Sequence, residues 1–497
     1  QNGFKYASYI SNNAIKNNKE YVIPSLHPYE LISKHKYPFI KRKAFHSNSY
    51  QDIQATINIL ETDNKVLYDI IKNTGDIYKK KEARIQYNIP SKYNLYSNYD
   101  KKLKQLQFKY NNNELINMVF LVNMVDMFTS EQLMILFQNN KYFNISLYVI
   151  PDTRLNKKEM IRTYNETYNK LKQKYPYTHH SVLIDETSDT ILEWYNIVKG
   201  NDIVFYPSLY DISFSLYNPY YAVQENILSV FINTNECVTV TNNKIYGIDN
   251  LNNFWKLFID NSITYTEYKI YGQCEASNAV VVGNAKMDQL DNYMKDARPS
   301  NQKTIIIAIN NYESDDQKYT SSNFETYAEL LLELPIRYPN ITFIFRLDAA
   351  TLTILKRKNK WGENKVDNYI NKMKSFPNVI YSTESDYLKI FANSDGIIQD
   401  NHSFLVEYFY TFKPCCYVLT SPNDIKTKFN SLGVKCLEQV YVAYNEAQIT
   451  KFIEDVISNN NDHMKESRIE FARKEIITNY TNVHRNIYHT ILSYFNS

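Results

Sequence analysis

The stretch Gly396-Ile-Ile-Gln-Asp-Asn-His-Ser-Phe-Leu-Val-Glu407 joins an apolar run to a helix-like segment through four polar residues. Side-chain oxygens of Asp400, Asn401 and Ser403 at such a junction can cap the first N–H groups of a helix. The same N–H groups, assisted by the helix dipole, can instead bind a phosphate. His402 would add a hydrogen bond or a positive charge, and Glu407, one turn on, could reach a ribose hydroxyl. Read alone, the pattern is most simply a capped helix bearing a surface histidine.

Other residues stand where chemistry could be done. Arg346 follows the apolar run Ile341–Phe345, where a guanidinium could bind a diphosphate through two parallel hydrogen bonds. Asp348, two residues on, reads as a turn residue. Asp211 lies beyond the run Ile203–Tyr206 and Pro207, on the side where an acceptor hydroxyl would need a general base. Its plain alternative is a loop cap. Glu225 and Glu236 are similar in position and less persuasive. His179-His180 has no partner at helical spacing and reads as a solvated pair in a loop, not a metal site.

These residues need elements to hold them. Residues 1–115 are polar and rich in Lys and Tyr, with helical stretches such as Ile53 to Thr74, and read as a helical N-terminal segment. From residue 116 short apolar runs alternate with helical stretches. Strands are expected at 118–122, 145–150, 181–184, 203–206, 228–232, 238–240 and 279–282, and helices at 131–137, 157–174 and 190–198. After a polar joint at 296–302 the pattern repeats. Strands fall at 304–309, 341–345, 379–381, 396–399 and 415–419, with helices at 324–334, 366–374, 387–393 and 403–411. Helices at 446–458, 464–480 and 483–495 close the chain. This texture predicts parallel sheets built from βαβ units. The expected division is 1–115, a Rossmann-like domain 116–295, a second Rossmann-like domain 296–480, and a C-terminal helix 481–497 that could cross back. In open α/β sheets ligands sit beyond the carboxyl ends of the strands.

Composition narrows the classes. The chain has 497 residues, 44% hydrophobic and 22% charged, with a net charge of +3, which argues against a general nucleic-acid-binding surface. The 45 tyrosines fit an AT-rich coding bias and carry no functional weight singly. All 9 glycines are isolated, so neither a G-x-G-x-x-G loop nor a P-loop can be written. The 5 cysteines are odd in number and lack zinc spacing, which suggests a reduced, cytoplasmic setting. No apolar run is long enough to span a membrane. The chain starts at Gln1 without a signal-peptide pattern, as a piece of a longer protein would. The basic, aromatic segment Lys34 to Lys43 could lie on a membrane face or an anionic polymer.

The stretch Ile397 to Ser403, the block Phe404 to Tyr408 with its acidic Glu407, and Lys413-Pro414 before an apolar run resemble the signature of the CDP-glycerol glycerophosphotransferase family, the teichoic-acid polymerases and primases. Val281-Val-Gly-Asn-Ala-Lys-Met-Asp-Gln-Leu290 is similar to that family's G-x-P-R-x-D-x-L segment, with Gly283, Asp288 and Leu290 agreeing and Lys286 replacing arginine. The chain departs from the pattern at His402, where the family keeps a serine, and at Asn401. It also departs at the two places where the family keeps histidines, which here read Arg346-Leu347-Asp348 and Asn233-Thr234-Asn235-Glu236. The resemblance spans roughly 203–420.

The resemblance implies a GT-B-like architecture, two doubly wound domains facing a cleft, with 116–295 the acceptor domain and 296–480 the nucleotide-donor domain. It implies a transferase of capsule or teichoic-like polysaccharide synthesis, moving a phosphoryl-linked group from a CDP-activated donor to a sugar or polyol hydroxyl. The moved group would be a polyol phosphate or a small group such as methyl phosphoramidate. Asp400, His402 and Ser403 would hold the donor phosphates, Glu407 the ribose, and Lys286 or Arg346 the leaving nucleotide. Asp211 and His402 are the catalytic candidates. Neither a tightly bound cofactor nor a metal is called for. A GT-B glycosyltransferase using a nucleotide sugar is the alternative reading, and an inactive glycan-binding protein the lesser one.

Overall fold

The computed structural model describes residues 92–496, apart from 186–189, 209–211, 214–216, 218, 235–236, 240–245, 247–249, 273, 298–301, 312–322 and 384–385. The helical reading of Ile53 to Thr74, the segment Lys34 to Lys43 and the candidate base Asp211 therefore lie outside the described residues.

The first group of strands is β1 (Ile116–Val122), β2 (Phe143–Val149), β3 (Thr178–His180), β4 (Val182–Asp185), β5 (Thr190–Trp194), β6 (Ile203–Tyr206), β7 (Leu228–Ile232), β8 (Lys256–Ile259) and β9 (Ala279–Val281). Seven of them form one sheet in the order β3-β2-β1-β6-β7-β8-β9, and every pairing in it is parallel. The second group is β10 (Lys303–Ala308), β11 (Ile341–Phe345), β12 (Val379–Tyr381), β13 (Gly396–Gln399), β14 (Cys415–Val418) and β15 (Tyr441–Ala443). It is parallel throughout, in the order β12-β11-β10-β13-β14-β15. Counted along the chain within each sheet, both run third, second, first, fourth, fifth, sixth, the doubly wound order, and the first sheet adds its seventh strand at the edge. Each sheet thus has a switch point, between β1 and β6 in one and between β10 and β13 in the other.

Helices on both faces explain the composition of the strands. Met118, Phe120 and Val122 of β1 face one core with Phe137 and Leu147, while Val119 and Leu121 face another with Val204 and Ile259. A strand buried on both sides must be apolar at nearly every position, as Ile-Asn-Met-Val-Phe-Leu-Val is. The same holds for Ile305 and Ile307 against Ile306 and Ala308 in β10.

The chain crosses between the sheets twice. It leaves the first at Val282 and returns through the helix Val483–Ser493, whose Val483, Ile487 and Ile491 join the core around β1. The two crossings are laced together. Asn479 Nδ2 donates to the Val282 carbonyl at 3.1 Å, and both Asp288 carboxylate oxygens accept backbone N–H groups of Val483 and His484 at 3.2 Å. Gly283 sits at φ 103°, and a Cβ there would run into the carbonyl of Thr478, so only glycine fits this crossing. The helix Lys92–Asn111 is tied to the same sheet by Lys102 and Lys109, each 2.8 Å from the buried carboxylate of Asp202.

Several local expectations give way to tertiary pairing. Residues 190–194, expected to be helical, form β5, paired antiparallel with β4 through Val182↔Trp194. Of residues 238–240, expected as a strand, Thr239 makes an isolated antiparallel bridge to Phe429, across to the second sheet's side, and residue 240 lies outside the described residues. The expected helix 464–480 runs as α-helix over Lys465–Phe471, widens into a π-turn at Ala472–Ile476, and ends there. His179 and His180, expected in a loop, form part of the edge strand β3. The His180 ring stacks on Tyr168, and its Nδ1 lies 3.0 Å from the Tyr164 hydroxyl. The strands β8 and β15 have no counterpart in the sequence reading.

Candidate functional site

At the second switch point β13 is followed by Asp400. Its side chain is buried, and its carboxylate accepts from Asn310 N at 2.9 Å, Asn310 Nδ2 at 3.3 Å and Asn323 Nδ2 at 3.0 Å. Asn310 follows β10, so these bonds bridge the two strands flanking the switch point. Burial pushes the Asp400 carboxyl up to about 7, against the pull of its three amide-type donors. Asn401 caps the helix His402–Glu407 by accepting from Phe404 N at 3.1 Å. The capping expectation thus falls on Asn401, while Asp400 is committed to the sheet.

His402 faces away from Glu407. Its ring meets Phe429 edge-on at 6.2 Å, and it lines a small pocket with Asn323, Asp400, Tyr417, Thr420, Lys428 and Phe429. Burial, and then the charge of Lys428, lower its pKa to about 4. At neutral pH the ring is therefore uncharged, and any phosphate contact it makes there is a neutral hydrogen bond. Ser403 is partly exposed at the first turn.

Glu407 points to the opposite side, where it is 1% exposed. One carboxylate oxygen lies 3.2 Å from Lys286 Nζ and the other accepts from the Tyr387 hydroxyl. Lys286 Nζ also contacts that hydroxyl and sits 4.5 Å from the centre of the Tyr387 ring. The Arg346 guanidinium lies over the same ring at 5.5 Å. A lysine from the inter-domain crossing, an arginine from the end of β11 and a glutamate from the helix after β13 thus meet on one tyrosine. To hold a ribose, Glu407 would have to exchange one of these two partners for a sugar hydroxyl. Tyr387 had no sequence signal: it is one of 45 tyrosines and opens a helix of five residues, Leu388–Ala392.

The remaining residues of the family-like signature have structural partners. Lys413 Nζ donates to the carbonyls of Phe391 and Ala392 at 3.1 and 2.7 Å, ending the Leu388–Ala392 helix. Asp348 caps the helix Ala349–Leu355 by accepting from Ala350 N at 2.8 Å, the turn role expected of it. Asn233, where the family's first histidine is expected, ends β7 and donates from Nδ2 to Asp260 at 3.2 Å.

The first switch point opens into a cleft lined by residues at the ends of β1, β6 and β7 and by Lys286. One wall is the loop after β1, including Thr129 and Ser130. This loop is tied to the domain crossing by His484. The ring's Nδ1 lies 3.0 Å from Asp288 Oδ2 and its Nε2 lies 2.9 Å from the Thr129 carbonyl. Asparagine can imitate the first contact and glutamine the second. His484→Ala is expected to cost about 2 kcal/mol in urea unfolding, from two lost buried hydrogen bonds. His484→Gln should restore slow amide exchange in residues 123–130 and His484→Asn should not. Equal exchange in the two variants would refute the link.

Among the described residues no group of three His, Cys, Asp or Glu side chains could hold a metal ion, and no helix is long and apolar enough to cross a membrane.

Two doubly wound parallel sheets meeting at a seam that two chain crossings bridge make this a GT-B-type fold. No family model matches the chain, and no curated protein matches it. Among solved structures it is similar to a UDP-N-acetylglucosamine 2-epimerase, with 11% identity and a TM-score of 0.49 over 77% of this chain and 96% of that one. It is likewise similar to the wall teichoic acid polymerase TagF, with 12% identity and a TM-score of 0.48 over 81% and 98%. A third is the UDP-GlcNAc 2-epimerase from Neisseria meningitidis bound to UDP-GlcNAc, with 13% identity and a TM-score of 0.46 over 76% and 99%.

Proposed function

We propose that this chain is a transferase of bacterial surface-polysaccharide synthesis. It moves a phosphoryl-linked group, a polyol phosphate or a smaller unit, from a CDP-activated donor to a sugar or polyol hydroxyl. The observation that carries the reading is the convergence of Lys286 and Arg346 on Tyr387 beside the helix that follows β13. Both cations come from segments outside that helix, and both stand near the carboxyl ends of the second sheet, where an α/β fold holds its ligand. The family-like residues around them, Asp400 to Ser403 and Glu407, favour a CDP-linked donor.

In this reading the diphosphate lies between the Lys286–Arg346 pair and the first turn of the helix at His402 and Ser403. The acceptor enters from the first sheet's cleft, with Asp211 as the proposed base. Its hydroxyl oxygen attacks the phosphorus next to the transferred group, and the bond to the nucleotide phosphate breaks. The base takes the hydroxyl proton, and the cations stabilise the departing nucleotide. Catalysis is then chiefly positioning and charge stabilisation. Work at the inner face of the membrane, as a peripheral enzyme, fits such an acceptor.

One observation favours a second reading. Arg346 and Asn233 occupy the places of the family's histidines, so its acid–base set is not carried over. A glycosyltransferase with a nucleotide-sugar donor would use the same scaffold, with attack at the anomeric carbon.

A thermal-shift series with CDP, CMP, UDP and GDP separates the two, since a ligand that binds only the folded state raises its stability. Selective stabilisation by CDP or CMP is expected, and selectivity for UDP or GDP would transfer the reading to the glycosyltransferase. Lys286→Met and Arg346→Met should each weaken the selected nucleotide about tenfold, the value of one charge-assisted hydrogen bond. Unchanged affinity in both would remove the site.

A further inference from the structure

The cleft at the first switch point carries a detail that the proposed reading does not use. Asn123 directly follows β1 and is 3% exposed at the cleft. Its Nδ2 faces Asp152 Oδ2 at 3.4 Å, and that carboxylate fixes which way the amide points. The other end, Oδ1, is buried without a hydrogen-bond partner. A buried acceptor left unpaired costs about 1–3 kcal/mol, so it is a place for a ligand's donor group.

The charges around it are already matched. Arg154 donates to Asp152 from Nε at 2.8 Å and from Nη2 at 2.5 Å. Lys286 is turned toward Glu407, at 3.2 Å, in the candidate donor site, where the proposed reading gives it to the nucleotide diphosphate and not to a group bound in this cleft. Among the described lining residues no carboxylate appears, and each of these two cations already has a carboxylate partner. The rest of the lining mixes hydroxyl and amide groups, Thr129, Ser130, Ser208 and Thr234 among them, with the rings of Phe128, Phe205 and Phe231. Rings beside hydroxyl and amide groups suit a molecule with apolar C–H faces and several hydroxyls. An oxyanion suits them poorly, because its oxygens would face the acceptor-only Oδ1.

We infer that this cleft binds an uncharged polyhydroxyl group, a neutral sugar or alditol, with one of its hydroxyls donating to Asn123 Oδ1. The inference rests on the reading that the acceptor enters from the first sheet, and it narrows that acceptor to a neutral glycan end. A polyol-phosphate chain is thereby excluded as the group bound here.

Matched pairs of probes test this on the full chain by saturation-transfer NMR and titration: glucose against glucose 6-phosphate, and glycerol against glycerol 3-phosphate. The neutral member of at least one pair should bind at least fivefold more tightly than its phosphate. Asn123→Leu should weaken it about tenfold, and Asn123→Ser, which keeps an acceptor oxygen, should recover part of the loss. Equal thermal unfolding of both variants separates this from misfolding. If Asn123→Leu unfolds early, Thr234→Val and Ser130→Ala replace it, and each should weaken the neutral probe severalfold. Tighter binding of the phosphates, or binding by neither member of any pair, overturns the inference. The nucleotide series above is scored independently. Its failure would sink the donor reading, whereas a phosphate preference here with intact CDP binding would sink only the neutral acceptor.

Discussion

Replacing Arg468 with methionine is expected to cost about 3 kcal/mol of stability, the order found when one partner of a buried ion pair is removed. Arg468 is 1% exposed. Its Nε and Nη2 donate to the carbonyl of Phe412 at 3.2 Å, and its Nη1 donates to Asp462 at 3.2 Å. Phe412 has a left-handed backbone, φ 59°, and ends the helical run that begins at His402. The guanidinium therefore holds the turn that closes the candidate donor helix. Methionine fills similar volume but leaves that carbonyl without its charged donor, and it leaves Asp462 with Tyr441 as a hydrogen-bond donor, at 3.0 Å. Lysine keeps the charge without the fork and should recover about half the loss. Urea unfolding followed by Trp361 fluorescence, with Trp194 and Trp255 replaced by phenylalanine in both proteins compared, reads the domain directly. A loss below about 1 kcal/mol would mean that the turn holds itself.

The fold was legible in the sequence because a strand buried on both faces must be a short apolar run, and the runs at 118–122, 203–206, 228–232, 304–309, 341–345 and 396–399 are unmistakable on that criterion. What escaped was set by pairing rather than by pattern. Residues 190–194 are a strand because Val182 to Asp185, a few residues earlier, lie alongside them, and Thr239 bridges to Phe429, far along the chain, across the seam. β8 opens on Lys256 and β15 is the short run Tyr-Val-Ala, and pairing with β7 and β14, rather than a pattern of their own, makes them strands. In the candidate site, proximity followed a similar rule. Asp400 to Glu407 could be found because they are consecutive. The meeting of Lys286, Arg346 and Glu407 on Tyr387 spans 121 residues from Lys286 to Glu407 and needed the fold. Sequence pattern also could not assign the two faces of one short helix, so His402 and Glu407, expected on a common ligand, point into different surroundings.

Those surroundings give the second large effect, a pH dependence that is mutually masked in the wild type. The Asp400 carboxyl is raised from 3.8 to about 7. A raised carboxyl contributes stability that is present below its unfolded pKa and lost as pH rises through the folded one, here the window from about 4 to 7. Three pKa units correspond to about 4 kcal/mol. His402 is lowered from 6.5 to about 4. A lowered histidine contributes in the opposite sense: its stability is present above about 6.5 and lost as pH falls toward 4. His402 as a residue is partly exposed, so its share is nearer ~2 kcal/mol than the full shift implies. Over one pH window the two neighbours therefore pull against each other. Acidification from pH 7.5 to 4.5 should leave the wild-type contribution of this junction small. His402→Asn should make the protein more acid-stable than wild type by ~2 kcal/mol across that interval. Asp400→Asn, which keeps an oxygen for Asn310 N, should make it less so by several kcal/mol. Taking each variant's urea midpoint relative to wild type at each pH removes the titration of all other groups. Parallel curves for the three proteins would show that neither group is perturbed. Deviations of the same sign would show that the buried charge lies elsewhere. Opposite deviations would establish an uncharged imidazole beside a carboxyl poised near neutrality at the end of β13, the protonation states with which a donor phosphate would be met.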